Sequence, residues 1–253
     1  MRHHDVVMLT GIPGTQISKL CTLSLLAILL LISASSAAGQ KGSVKLISRV
    51  DHFVYATPDL NRGVEEIEKL LGVRAIAGGR HPGRGTRNAL VALGPTAYLE
   101  ILAPDPEQPP PQEPRPFGLD GLKESKLVAW FVKGRDLERL RSEAVRKGVP
   151  LGEVKSGSRQ RPDGVHLSWH YTDPSVRVAD GIVPLFIDWG DSPHPAHTAA
   201  KGATLISLRA EHSDVRAVRE MLRRLGIDLQ VKEGQSPALI AVIEGPRGRV
   251  ELR

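Results

Sequence analysis

The sequence predicts an α+β protein assembled from repeated β-α-β-β-β units, and three observations carry that expectation. A strand-like apolar run, an Asp-Leu or Asp-Val pair, an amphipathic helix pattern and a Gly before a branched residue recur in that order around Asp59, Asp136 and Asp214, spaced 77 and 78 residues apart. Each Asp stands where a side-chain oxygen can cap a helix start, and Gly72, Gly148 and Gly226 stand where a helix needs a left-handed stop. The 253 residues are 41% apolar and 25% charged, the composition of a packed chain.

The first unit opens with the strand pattern of residues 50–55 and continues through Asp59-Leu60 into a helix with Val64, Ile67, Leu70 and Leu71 on one face. Strands follow at 89–93 and 97–102. The second unit repeats the plan with a strand at 127–132, a helix carrying Leu140, Ala144 and Val145, and strands at 166–171 and 183–189. The third has a strand at 205–208, a helix with Val218, Met221, Leu222 and Leu225, and strands at 239–243 and 249–252. Between units lie the proline-rich stretch 104–116 (PDPEQPPPQEPRP), expected to be a stiff exposed connector, and a second loop at 191–202.

Before the units, Lys19 precedes an uncharged apolar run over residues 20–32, and small residues follow to Gly39. This is the layout of a signal peptide over residues 1–38, with Ser36 and Ala38 at the cleavage positions, and it predicts export to a periplasm or the exterior. The run is shorter than a stable membrane span, so none is expected after cleavage; an uncleaved membrane anchor is the alternative. The single cysteine, Cys21, lies in this leader, which excludes a disulfide framework, a cysteine zinc site and a cysteine nucleophile in the remainder.

Net charge is +6, from 34 Lys and Arg against 28 Asp and Glu, but the excess is dispersed and only 4% of residues are aromatic. A nucleic-acid partner is not expected. No GxxxxGK[ST] or GxGxxG pattern occurs, so no nucleotide cofactor is expected either, and no Gly-x-Ser-x-Gly elbow is present. A small acidic molecule remains compatible with scattered arginines that can fork onto a carboxylate.

Several segments together, VDHFVYATPDL (50–60), GGRHPGRGTRNAL (78–90), AYLEILAPDP (97–106), RPFGLDGL (115–122), RPDG (161–164) and PLFIDWG (184–190), resemble the glyoxalase-like branch of the vicinal oxygen chelate superfamily. The resemblance covers residues 48–195 well and the rest more loosely. It implies a glyoxalase-like domain in which units 48–104 and 126–190 curl into a cup-shaped mixed sheet, with residues 203–253 as a third unit appended. Pairing of units one and three is the alternative. The reaction stays open, because the superfamily holds isomerases, lyases, dioxygenases, epimerases and metal-free binding proteins.

In that superfamily metal ligands come from the first and last strands of each unit, which here implies His52 and Glu100. Alternation puts His52 on a face with Val54, and Glu100 on one with Tyr98 and Leu102. An imidazole and a carboxylate suit Zn, Fe, Mn or Ni. The later units depart from the pattern, with Ala129 and Ser207 where a first-strand histidine would stand. Aligning Ile101 with Ile187 offers Asp188 as a third ligand, and the third unit offers Glu251.

The glycine-rich stretch 78–88 is expected to be a loop at the cup mouth, with His81 and Glu100 as catalytic candidates and Arg80, Asn88, Arg161 and Trp169 as substrate-binding ones. Arg159, Arg161 and Asp163 leave open whether a guanidinium enters the cup or pairs at the turn. Trp130 reads as core or cup wall, while His166, His170, His194 and His197 read as surface.

Three readings follow. The first is a metal-assisted lyase, isomerase or dioxygenase acting on a small oxygenated or carboxylated molecule. The second is a metal-free protein that binds or sequesters a small molecule in the same cup, and the third is a partner-binding module. A homodimer is compatible with each.

Overall fold

A computed structural model describes residues 46–253, and the leader expected over residues 1–38 lies outside them. The chain forms strands β1 (Val50–Ala56), β2 (Ile76–His81), β3 (Thr86–Gly94), β4 (Ala97–Pro104), β5 (Lys126–Lys133), β6 (Val154–Gln160), β7 (His166–Thr172) and β8 (Leu185–Asp188). Helix α1 (Leu60–Leu71) follows β1, and α2 (Leu137–Arg146) follows β5. The third unit holds β9 (Thr204–His212), α3 (Val215–Arg224), β10 (Gln230–Glu233), β11 (Ala238–Gly245) and β12 (Gly248–Leu252).

Helix boundaries fall where capping chemistry puts them. Asp59, Asp136 and Asp214 accept from the backbone N–H groups of Arg62, Arg139 and Ala217, and Gly72 adopts φ 74° at the end of α1. Asp59 is exposed, so its contribution to stability is the cap itself. Asp59→Ala is expected to lower stability by about 1 kcal/mol, a fall in Tm of roughly 2–4 °C by calorimetry; an unchanged Tm would mean the cap is redundant.

Units one and two build one eight-stranded sheet of order β2-β3-β4-β1-β5-β8-β7-β6. The order is a mirror about the antiparallel β1–β5 junction, because the first strand of each unit pairs in parallel with its last, β1 with β4 and β5 with β8. The sheet curls until its two edges meet: the Arg159 guanidinium on β6 donates to the Gly78 carbonyl on β2. Its convex face packs Phe53, Leu99, Ile101 and Trp130 against α1 and α2, with the Trp130 indole donating to the Ile182 carbonyl. The concave face is the cup expected for units one and two.

The third unit repeats the order of elements but not their pairing. Its four-stranded sheet runs β10-β9-β11-β12, so the first strand lies between β10, parallel to it, and β11, antiparallel. It therefore adds no half-cup of the kind the other two make. Its β11–β12 turn packs on the end of α1, where a Cβ on Gly245 would stand 2.3 Å from the Leu71 carbonyl oxygen and only glycine fits.

Three expectations need correction. Residues 78–88 are not a loop but the β2–β3 hairpin, whose turn is confined to residues 82–85. The connector 104–116 is only partly exposed: Asp105 is fully buried, and Pro116 and Phe117 at its end lean over the cup. Loop 191–202 is not a free surface loop, because Ala200 accepts from the Ala92 backbone N–H of β3 and Ala196 and Ala199 pack on Leu90 and Tyr98.

Candidate active site

The concave face encloses about 600 Å³, with the solvent at its open mouth included. Strand alternation decides who lines it. His52 comes from β1, His81 from β2, Asn88 and Thr86 from β3, and Tyr98 and Glu100 from β4. The second half supplies Phe131 from β5, Arg159 from β6, Trp169 and Tyr171 from β7, and Ile187 with the following Trp189. Unit one is thus the polar half and unit two the aromatic one.

His52 is held from three sides. Its ring lies between Tyr98 and Phe131, at centroid distances of 4.7 and 4.2 Å and 14° from parallel to each. Its Nδ1 is 2.8 Å from the Asp51 carboxylate, which can only accept, so Nδ1 carries the proton and Nε2 presents its lone pair to the cup. Asp51 reaches the neighbouring ring because it is the extra residue of a bulge in the β1–β5 pairing.

Asp51 is fully buried and takes two further hydrogen bonds, from Trp189 Nε1 at 3.2 Å and His194 Nε2 at 3.1 Å. Burial alone would raise its pKa, but the hydrogen bonds and charges of His194 and His52 outweigh that and hold the carboxyl well below the usual carboxylate range. His194 is therefore not a surface residue: the loop folds back over β3 and delivers it to the side of Asp51 away from His52 Nε2.

Glu100 accepts from the Asn88 amide at 2.6 Å. One of its oxygens lies 3.9 Å from His52 Nε2 and the other 3.9 Å from His81 Nε2. His81 is buried and bonded through Nδ1 to Thr86 Oγ1 at 2.9 Å. Burial, countered only in part by the Glu100 charge, pushes its pKa down to about 4, so the ring is neutral at pH 7.

The cup thus brings together His52, His81, Asn88, Glu100 and Trp169 of the residues expected from sequence, and leaves four outside. Arg80 turns outward to Asp105 and Glu107. Arg161 pairs with Asp163 at the turn, and Arg159 is the guanidinium that enters the cup. Asp188 lies on the opposite face from Ile187 and caps the Gly190 N–H, because the alignment of the two last strands is off by one residue and a one-residue slip exchanges the faces. Glu251 sits in the other sheet, bonded to Arg209 at 2.7 Å. Sequence reasoning passed over Asp51, whose signal was an acid inside an apolar strand beside a candidate histidine.

A model of a family described as glyoxalase-like domain matches residues 50–226. The chain belongs to this family. A hypothetical protein from Staphylococcus aureus has a similar fold, with a TM-score of 0.53 at 13% identity over 80% of this chain and 83% of that one. Methylmalonyl-CoA epimerase from Mycobacterium tuberculosis aligns at 19% identity over 60% of this chain and 94% of its own, with a TM-score of 0.38. A Streptomyces coelicolor methylmalonyl-CoA epimerase in complex with 2-nitronate-propionyl-CoA aligns at 20% identity over 55% and 94%, TM-score 0.37. No curated protein matches the sequence. Among the described residues no helix is long and apolar enough to cross a membrane.

Members of the vicinal oxygen chelate superfamily often use a divalent metal, and the donors of this glyoxalase-like cup can be tested against one. His52 Nε2 and Glu100 face each other, but among the described residues no three His, Cys, Asp or Glu side chains converge on one point. Asp188 and Glu251, the third donors expected from sequence, are elsewhere, and Ala129 and Ile187 occupy the matching places in unit two. The set falls short of the three protein ligands of a catalytic zinc or facial-triad iron site and does not fit such a metal.

Proposed function

We propose that this glyoxalase-like protein is an enzyme of the isomerase or lyase type that moves a proton at a carbon next to the carbonyl of a small oxygenated or carboxylated molecule. The observation that carries the reading is the buried Asp51 carboxylate 2.8 Å from His52 Nδ1, which leaves Nε2 as an acceptor opposite Glu100 inside the cup. A carboxylate behind an imidazole fixes its tautomer and stabilises the imidazolium when a proton arrives.

In the proposed step Glu100 takes the proton from the carbon, and the C–H electron pair moves onto the carbonyl oxygen as an enolate. The Arg159 guanidinium, itself buried, offsets the developing charge. The protonated Glu100 then returns the proton, directly or after passing it to His52 Nε2, to the same carbon in an isomerisation or to a departing group in an elimination. His81, neutral at pH 7, contributes a hydrogen bond rather than charge.

The test is hydrogen–deuterium exchange at the methylene of phenylpyruvate in D2O, followed by NMR at pD 7.5 with residues 39–253. Exchange above the buffer rate, unchanged by EDTA, is the expected result; a rate no higher than buffer would overturn the reading for this class of carbon acid. A metal-free binding protein is the second reading, favoured by the apolar residues that unit two contributes, and it expects saturable binding without exchange. The leader pattern of residues 1–38 supports export, and N-terminal sequencing of exported protein is expected to begin at Gly39.

A further inference from the structure

The charges that line the cup do not balance, and the imbalance describes its ligand. Arg159 is 3% exposed, yet its guanidinium donates to the Gly78 carbonyl and has no carboxylate within 4 Å among the described residues. Arg84, half-buried at the mouth, lies over the Tyr171 ring with its guanidinium carbon 5.1 Å from the centroid, and it too lacks such a partner. Burial lowers the pKa of both and outweighs the more distant charges of Glu100 on Arg159 and of Asp173 and Glu113 on Arg84, so each cation has given up water without a carboxylate at contact distance. Against these two cations the cup sets one carboxylate, Glu100, and a neutral His81.

Desolvated guanidiniums are stable in proteins when an anion meets their planar fork. A third group points the same way: the Tyr171 hydroxyl, also in the cup, is buried without a hydrogen-bond partner. Between these groups the walls are flat and apolar. Trp169 and Trp189 meet at 5.1 Å and 47°, and Phe131 and Phe117 also line the cup, an aromatic surface that fits a planar body better than a flexible chain.

We propose that the ligand of the cup is a small monocarboxylate with a flat, aromatic-sized body, its carboxylate held by Arg159, Arg84 and the Tyr171 hydroxyl and its body against the tryptophans. This deepens the proposed function by naming the substrate class. Recognition needs no turnover, so it is tested with molecules that have nothing to react.

Titration of tryptophan fluorescence with 3-phenylpropionate, propionate and 3-phenylpropanamide separates charge from body. We expect 3-phenylpropionate to bind at least about tenfold tighter than either of the others, a margin of one charge-assisted contact or one buried ring. Arg84→Gln is expected to weaken the acid severalfold and leave the amide unchanged; Arg159→Lys, which keeps the charge but loses the fork, weakens the acid further. Should Arg159→Lys unfold by circular dichroism, Arg84→Gln alone decides. Equal affinity for acid and amide, equal affinity for propionate, or no saturable binding by any of the three overturns the proposal. Binding of the acid with no deuterium exchange on phenylpyruvate would instead overturn the proton-transfer reading and leave this one standing.

Discussion

Glu100→Gln is expected to cut the rate of proton exchange by about 10²–10⁴, the range for removing a positioned general base. Glutamine keeps the volume and an oxygen that can accept from Asn88 Nδ2, so the 2.6 Å contact that orients the side chain can persist. What is lost is the basic oxygen 3.9 Å from His52 Nε2. The variant is therefore expected to bind 3-phenylpropionate as the parent does, because that affinity rests on the guanidiniums and the tryptophans. A rate within tenfold of the parent would sink Glu100 as the base and return it to the role of a hydrogen-bonded wall. A loss of both rate and binding would point to a collapsed cup, and the unchanged Tm expected for an isosteric change separates that outcome from chemistry.

The parts of the fold legible in the sequence were those whose local rules agree with their burial. β1, β4 and β5 are buried on both faces because the cup lies on one side and the helices on the other, and their boundaries are legible within about two residues. The capping aspartates were legible for the same reason: the interaction that sets each helix start is three residues long. His52 and Glu100 were found because alternation along a buried strand is reliable over a few residues.

What the sequence hid was set by distance. β6, with the sequence VKSGSRQ, reads as polar loop because it is an edge strand with one buried side chain, Arg159, and that residue is buried only because the sheet curls round to bring β2 beside it. β2 was hidden by its two glycines, one of which must be glycine since a Cβ on Gly79 would meet the Gln160 carbonyl oxygen at 2.5 Å. His194 lies 143 residues from the carboxylate it serves. The one-residue error that promoted Asp188 over Ile187 shows how little a strand alignment must slip before a wall residue is mistaken for a ligand. The third unit makes the same point at larger scale, since its order of elements matches the others while β9 takes different neighbours.

Acid is expected to destabilise the protein in two legs, and the first belongs to His81. Its ordinary pKa is 6.5 and burial holds it near 4 in the fold, with Glu100 pulling upward and Arg159, Arg84 and His52 pushing down. Between those values the unfolded chain binds a proton that the folded one refuses, so stability rises with pH across the window and falls as pH drops through it. Moving from pH 7.5 to 4.5 should cost about 2–3 kcal/mol from this group alone. The second leg belongs to Asp51, whose carboxyl is depressed by its bonds to His194 and His52. Its contribution is whole above the unfolded carboxylate range near 4 and is lost only as pH falls below it, so the two legs do not overlap above about pH 4.5. Urea denaturation at pH 7.5, 5.5 and 4.5 reads the first leg directly. His81→Gln, which can keep a hydrogen bond to Thr86 but cannot take up a proton, should flatten it while leaving the loss below pH 4 in place. The same slope in parent and variant between pH 6.5 and 4.5 would show that His81 is solvated and titrates freely, and the cup would then be wetter than its burial implies.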